Sequence, residues 1–205
     1  MFFGGGNITA RLAELLLSLP AVLWAITFHE FCHGYAAMKL GDPTAKMDGR
    51  LSLNPLHHLD PIGALCLLLF RFGWAKPVPI NPGYFKNPRR DMALVSLAGA
   101  AGNILTAFVC AQLVKIFPAL FQTYAAQQFI LIMIYMNVGL AAFNLLPIPP
   151  LDGSRVLYVM LPYKYLHVYY TLERYGMFVI VALMILGVIP LLMSPIMSLI
   201  LNIIL

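Results

Sequence analysis

Apolar positions in this chain come in long unbroken runs, not in the alternating or amphipathic patterns of a water-soluble domain. A helix that crosses a bilayer needs about 20 consecutive, mostly apolar residues. The stretches Arg11 to Lys39, Met92 to Phe117 and Gln127 to Leu146 meet that length. Residues 175–205 are almost wholly apolar too, but Pro190 and Pro195 lie inside, so one long kinked span and two short half-helices both fit. The run from Ile62 to Phe70 is too short to cross at about 1.5 Å per residue, and it reads as re-entrant. Residues 40–60 are polar and rich in turn residues. Within them Asp48-Gly49, between the short alternating flanks of 46–53, predicts a β-hairpin. Pro147, Pro149 and Pro150 break the third span, and a short amphipathic piece with Arg155, Lys164, His167 and Arg174 follows.

The pattern therefore predicts an all-α polytopic membrane protein. It has a three-span core, a small cytoplasmic β-hairpin, a re-entrant segment and a C-terminal apolar region. All of this forms one membrane domain over 1–205, with the core at 10–162 and the C-terminal apolar helices at 173–205. Composition sharpens the exclusions. With 61% apolar and 10% charged residues and a mean hydropathy of +0.84, the chain is neither a soluble domain nor disordered. Three cysteines, all in apolar stretches, do not make a disulfide scaffold. Residues 1–10 lack the basic start of a signal peptide.

The net charge of +5 orients the chain and does not argue for nucleic acid, since no basic stretch interleaved with aromatics is present. Lys and Arg crowd into 39–90 and 150–174 and are missing from the first ten residues and from 118–126. The positive-inside rule then predicts a multi-pass protein of the cell membrane, with the N-terminus outside and residues 39–90 cytoplasmic.

Chemistry enters at His29-Glu30-Phe31-Cys32-His33. Histidines at i and i+4 share a helix face and can bind one Zn²⁺, and the glutamate between them can take a proton from water. Three ionisable groups within a span are costly to insert and mark a functional site. A catalytic zinc site has three protein ligands and one open position. Among the other carboxylates, Asp42, Asp48 and Asp60 are explained by turns, Asp91 by a helix start, and Glu14 and Glu173 by a neighbouring arginine at a span end. Asp152 stands apart. It follows a full span and a triple-proline break, although a helix N-cap would also account for it. The adjacent His57 and His58 do not share a helix face and read as turn residues.

These residues resemble the site-2 proteases, intramembrane zinc metalloproteases. The resemblance rests on His29-Glu30-x-x-His33, on Asn144-x-x-Pro-x-Pro-x-Leu-Asp152-Gly153, on Gly49 to Gly63, and on Trp74-Ala-Lys-Pro-Val-Pro79, and it covers roughly 20–160. It implies Zn²⁺ held by His29, His33 and Asp152, with Glu30 activating the water. It implies that Asn144 positions substrate or stabilises the oxyanion. Leu51, Leu53 and Asn103 are the expected substrate contacts, the first two through the predicted hairpin. The middle span reads Gly99-Ala-Ala-Gly-Asn103 where the family often has Gly-Pro-x-x-Asn, and no PDZ or CBS domain is expected. The implied substrate is a transmembrane protein or a signal peptide within the lipid bilayer. The alternative on the residues alone is a membrane zinc transporter or metal-binding protein, for which repeated halves would be the sign.

Overall fold

A computed structural model gives the fold and describes residues 8–60, 63 and 76–205, with side chains from Leu16 onward. Among these residues all regular structure is helical. The α-helices are α1 (Ile8–Lys39), α2 (Thr44–Met47), α3 (Pro88–Ile116), α4 (Tyr124–Asn144), α5 (Gly153–Met160), α6 (Leu166–Ile185) and α7 (Val188–Ile204). Among the described residues four stretches are long and apolar enough to cross a membrane: Leu16–Lys39, Pro88–Ile116, Tyr124–Asn144 and Tyr163–Ile185. Helix α7 is apolar but shorter.

Helix α3 is the axle of the bundle and packs against α1, α4 and α5. Its inward face carries Gly99, Ala100, Gly102, Asn103, Thr106 and Ala107, all buried. In a bilayer there is no hydrophobic drive between helices, so small side chains that let backbones approach are what hold spans together. Gly102 illustrates the closeness: a Cβ there would lie 2.5 Å from Cys32 Sγ on α1. The far end of α3 and α4 closes over an apolar core that includes Ala107, Ile134, Val138 and Ile200. A second core, Leu146, Leu151, Ile180 and Ile189, ties the proline break after α4 to α6 and α7.

The C-terminal apolar region resolves into two helices. They part at Gly187, whose φ of 70° lies in the left-handed region that a residue without Cβ enters freely. The hairpin expected over 46–53 is not there. The Asp42 carboxylate accepts from the Thr44 N–H at 2.9 Å and starts a single helical turn at Thr44–Met47. Asp48-Gly49 is the turn that ends it, with Gly49 at φ 65°. The N–H groups of Arg50 and Leu51 then fold back to Ala45 O at 2.8 and 3.1 Å, so no strand faces them. The re-entrant segment expected at 62–70 lies outside the described residues, apart from Gly63.

Residues 76–80 form a strap without regular structure beside α1. Lys76 N–H donates to His58 O at 2.9 Å, and Arg50 Nη2 donates to Lys76 O at 2.7 Å and Pro77 O at 3.2 Å. At its far end Asn81 N–H donates to the buried Asp42 carboxylate at 2.7 Å.

Candidate metal centre

Helix α1 delivers two imidazoles. His29 and His33, one turn apart, are both buried, and their rings meet edge to face with centroids 4.5 Å apart. They have room because α3 carries glycine opposite them: a Cβ on Gly99 would stand 2.5 Å from His33 Nε2 and 2.6 Å from His29 Cε1.

The carboxylate arrives from more than a hundred residues away. Proline-rich backbone, with a cis Pro149–Pro150 peptide, turns the chain after α4. Gly153 then opens α5 so close to α4 that a Cβ would run into the Leu145 carbonyl. Asp152 occupies the N-cap position of α5, yet its side chain makes no capping hydrogen bond. The carboxylate points at the histidines instead, with Oδ2 at 3.1 Å from His29 Nε2 and 3.2 Å from His33 Nε2. Two further contacts hold α5 in place. Arg89 Nη2 donates to the Tyr158 and Leu161 carbonyls at 2.6 and 2.8 Å, and Arg155 pairs with Glu173 at 2.5 Å.

The donor set tests whether a metal fits. His33 Nδ1 lies 2.8 Å from Val95 O, which can only accept, so Nδ1 carries the proton and donates. His29 Nδ1 likewise donates to Asn103 Oδ1 at 2.7 Å. In neutral imidazoles both Nε2 atoms are therefore bare lone pairs, and they stand 2.9 Å apart. The third corner, Asp152 Oδ2, is buried and has no hydrogen-bond donor. Three converging acceptors repel one another unless a cation sits among them. Two nitrogens and one carboxylate oxygen from three protein residues are a donor set suited to Zn²⁺.

The other expected site residues fall in different places. Glu30 is half-buried, and its Oε2 accepts from the Val78 N–H of the strap at 2.9 Å. Asn144 is half-buried at the end of α4, where Nδ2 donates to Leu140 O at 3.0 Å. Leu51 packs near Gly34 of α1, and Leu53 is exposed. Asn103, also expected to contact substrate, lies deep in the bundle. It is wholly buried between α1, α3 and α4, with its amide bonded to protein on every side. His57 and His58 do not act together: His57 Nδ1 lies 3.1 Å from Gly49 O, and His58 Nε2 lies 2.8 Å from Ser52 O. The Val95 carbonyl and the Val78 N–H are partners of His33 and Glu30 that side-chain patterns do not reveal, because backbone groups leave no mark on residue type.

A bundle of apolar helices enclosing a His–His–Asp group defines a polytopic membrane protein with a candidate metal centre. The family model for Peptidase family M50 matches residues 111–187. "Putative zinc metalloprotease YwhC" of Bacillus subtilis is 44% identical over 144 residues, covering 67% of this chain and 66% of that protein. "Putative zinc metalloprotease Rip2" of Mycolicibacterium smegmatis is 32% identical over 69% of this chain and 56% of its own length. "Putative zinc metalloprotease MJ0611" of Methanocaldococcus jannaschii is 33% identical over 69% of each chain. The chain belongs to peptidase family M50, the site-2 protease family. The match spans just under two thirds of the Bacillus relative and little more than half of the Mycolicibacterium one. No solved structure matches the chain.

Proposed function

We propose that this chain is an intramembrane zinc metalloendopeptidase that hydrolyses peptide bonds within or beside transmembrane segments, the chemistry of regulated intramembrane proteolysis. The observation that carries the reading is the convergence of His29 Nε2, His33 Nε2 and Asp152 Oδ2 inside a helix bundle, with Glu30 next to the first of them. These three residues would hold Zn²⁺. When bound, the metal supplies a Lewis acid for the scissile carbonyl and lowers the pKa of water toward ~7. Glu30 is the general base, taking the proton of the attacking water and returning it to the leaving amine. Its Oε2 is held by the Val78 N–H, which leaves the other oxygen for that proton.

Asn144 lies at the mouth of the proline break and is assigned to the substrate carbonyl. Leu51 and Leu53 are assigned to apolar contact with the substrate chain. A transmembrane helix must unwind before its carbonyls can be reached, since they are locked in i to i−4 hydrogen bonds. The substrate class is a single-span protein or a leftover signal peptide in the cell membrane. Charge asymmetry supports placing 39–90 and 150–174 on the cytoplasmic side.

The test is Glu30→Gln. Purified in detergent, the variant is expected to keep its zinc by elemental analysis and to lose cleavage of a single-span substrate co-reconstituted in vesicles. Proteolysis unchanged in Glu30→Gln, or wild-type protein that binds no zinc, refutes the reading.

A further inference from the structure

We propose that Asn103 and Asn137 form a two-amide lock that dictates which ring nitrogen of His29 is protonated, and so set the affinity of the metal centre from outside it. This deepens the zinc reading above and rests on it.

The argument starts from the symmetry of an amide. A buried asparagine can present either its oxygen or its NH₂ in a given direction, and the two orientations fill the same space. Asn103 and Asn137 are both wholly buried. Asn103 Nδ2 donates to Ala25 O at 2.9 Å and to Asn137 Oδ1 at 2.9 Å, and its Oδ1 accepts from His29 Nδ1 at 2.7 Å. Asn137 Nδ2 donates to Met133 O, one turn back on α4, at 2.8 Å.

Two of these partners are backbone carbonyls, which can only accept. Met133 O therefore fixes the NH₂ of Asn137 toward itself and turns the Asn137 oxygen to Asn103. Ala25 O and that oxygen together fix the NH₂ of Asn103. The Asn103 oxygen is left facing His29. Reversing Asn103 would press its oxygen against Ala25 O and Asn137 Oδ1 with no proton between them. Those oxygens would be buried without a donor and would lose the hydrogen bonds that offset their desolvation, so the reversed state is disfavoured.

The consequence reaches the metal. An oxygen facing His29 Nδ1 requires the proton on Nδ1 and leaves Nε2 bare, as a metal ligand must be. With Asn103 reversed, Nδ1 would accept, and Nε2 would carry its N–H into the space between His33 and Asp152. His33 needs no such lock, because Val95 O is a carbonyl that cannot be turned around. Asn137 makes no hydrogen bond to either histidine or to Asp152, yet it guards the tautomer. Both asparagines are positioning residues.

The experiment is a titration of metal-free, full-length protein in detergent with Zn²⁺ against a competing chelator. Losing an outer hydrogen-bond partner of a ligating histidine typically weakens metal binding about 10–100-fold. Asn103→Leu is expected in that range and Asn137→Leu near its lower end, about tenfold. Asn137→Asp is expected within about threefold of wild type, because a protonated acid offers C=O to Asn103 and O–H to Met133 O. Nitrogen NMR of histidine-labelled, metal-free protein should show His29 protonated at Nδ1 in wild type and Asn137→Asp, and mixed in Asn137→Leu. Should Asn137→Leu fail to fold, Asn137→Ala removes the same amide without added bulk. Folded Asn137→Leu or Asn137→Ala that binds zinc as wild type does overturns the lock, as does Asn137→Asp that binds as weakly as they do. Failure of the zinc reading looks different: wild type would take up no zinc, or His33→Ala would bind it undiminished.

Discussion

Gly99→Ala adds one methyl group at the centre of the site, and its effect can be worked from the geometry. The new Cβ would stand 2.5 Å from His33 Nε2, 2.6 Å from His33 Cε1 and 2.6 Å from His29 Cε1. Carbon in contact sits at about 3.5 Å or beyond, so the rings, the helix or both must give about 1 Å. One crowded atom, His33 Nε2, is a proposed ligand, with the other two donors at 2.9 and 3.2 Å. Metal sites tolerate about ±0.2 Å in ligand distance, so the needed shift is about five times the tolerance. Stability moves much less. Alanine is favoured over glycine inside a helix by about 1 kcal/mol, against roughly 1–3 kcal/mol for overpacking. The expected outcome is a folded protein whose zinc affinity falls more than about 100-fold, beyond the usual cost of losing an outer partner. Chelator competition measures the affinity, and circular dichroism of the same samples reports helix content. Gly139→Ala on α4 is the control, because its Cβ would find only Met197 Cε at 4.0 Å. Folded Gly99→Ala that binds zinc within threefold of wild type refutes the packing argument.

Two further outcomes concern the strap. Val78→Pro removes the N–H that Glu30 accepts, while Val78→Ala keeps it. With zinc content unchanged in both, turnover should fall about tenfold further in the proline variant, in line with a lost charge-assisted hydrogen bond of about 1.5–3 kcal/mol; equal turnover would remove Val78 from the account. Asp42 is wholly buried and accepts from Thr44 N–H, Thr44 Oγ1 and Asn81 N–H. Asp42→Ala should cost about 3 kcal/mol, read as a lower melting temperature in detergent, and a loss under about 1 kcal/mol would show that the strap is anchored elsewhere.

The parts of the molecule legible in the sequence are those with local causes. Spans declare themselves because every backbone group in a bilayer must be satisfied within a helix, which demands an uninterrupted apolar run. The His29 and His33 pairing is legible for the same reason, since i and i+4 is a property of one helix. Asp152 stood apart once every other carboxylate had a local explanation, but a helix cap remained open and its place in a ligand set came from the resemblance. The hairpin over 46–53 failed because Asp-Gly specifies a turn and says nothing about what flanks it; a carboxylate at Asp42, outside the window, made the flank a helix. The burial of Asn103 was not legible because sequence does not reveal depth. An asparagine on a span can face substrate or a neighbouring helix, and only the meeting of α1, α3 and α4 decides. The proline-broken region after residue 174 stayed open until Gly187, an ordinary glycine in the sequence, took the left-handed conformation that separates α6 from α7.

The strap also bears on how the protein keeps to itself. Open backbone beside a cleft is a template on which a stray chain can pair, strand on strand, and from there aggregate. Pro77 and Pro79 have no N–H to offer, and those of Lys76 and Val78 are engaged by His58 O and Glu30. Across these four residues every donor is missing or occupied, and two of the carbonyls are covered by Arg50. Such a segment has no free backbone donor for a cross-strand ladder, so the strap that holds Glu30 stays inert toward other unfolded chains.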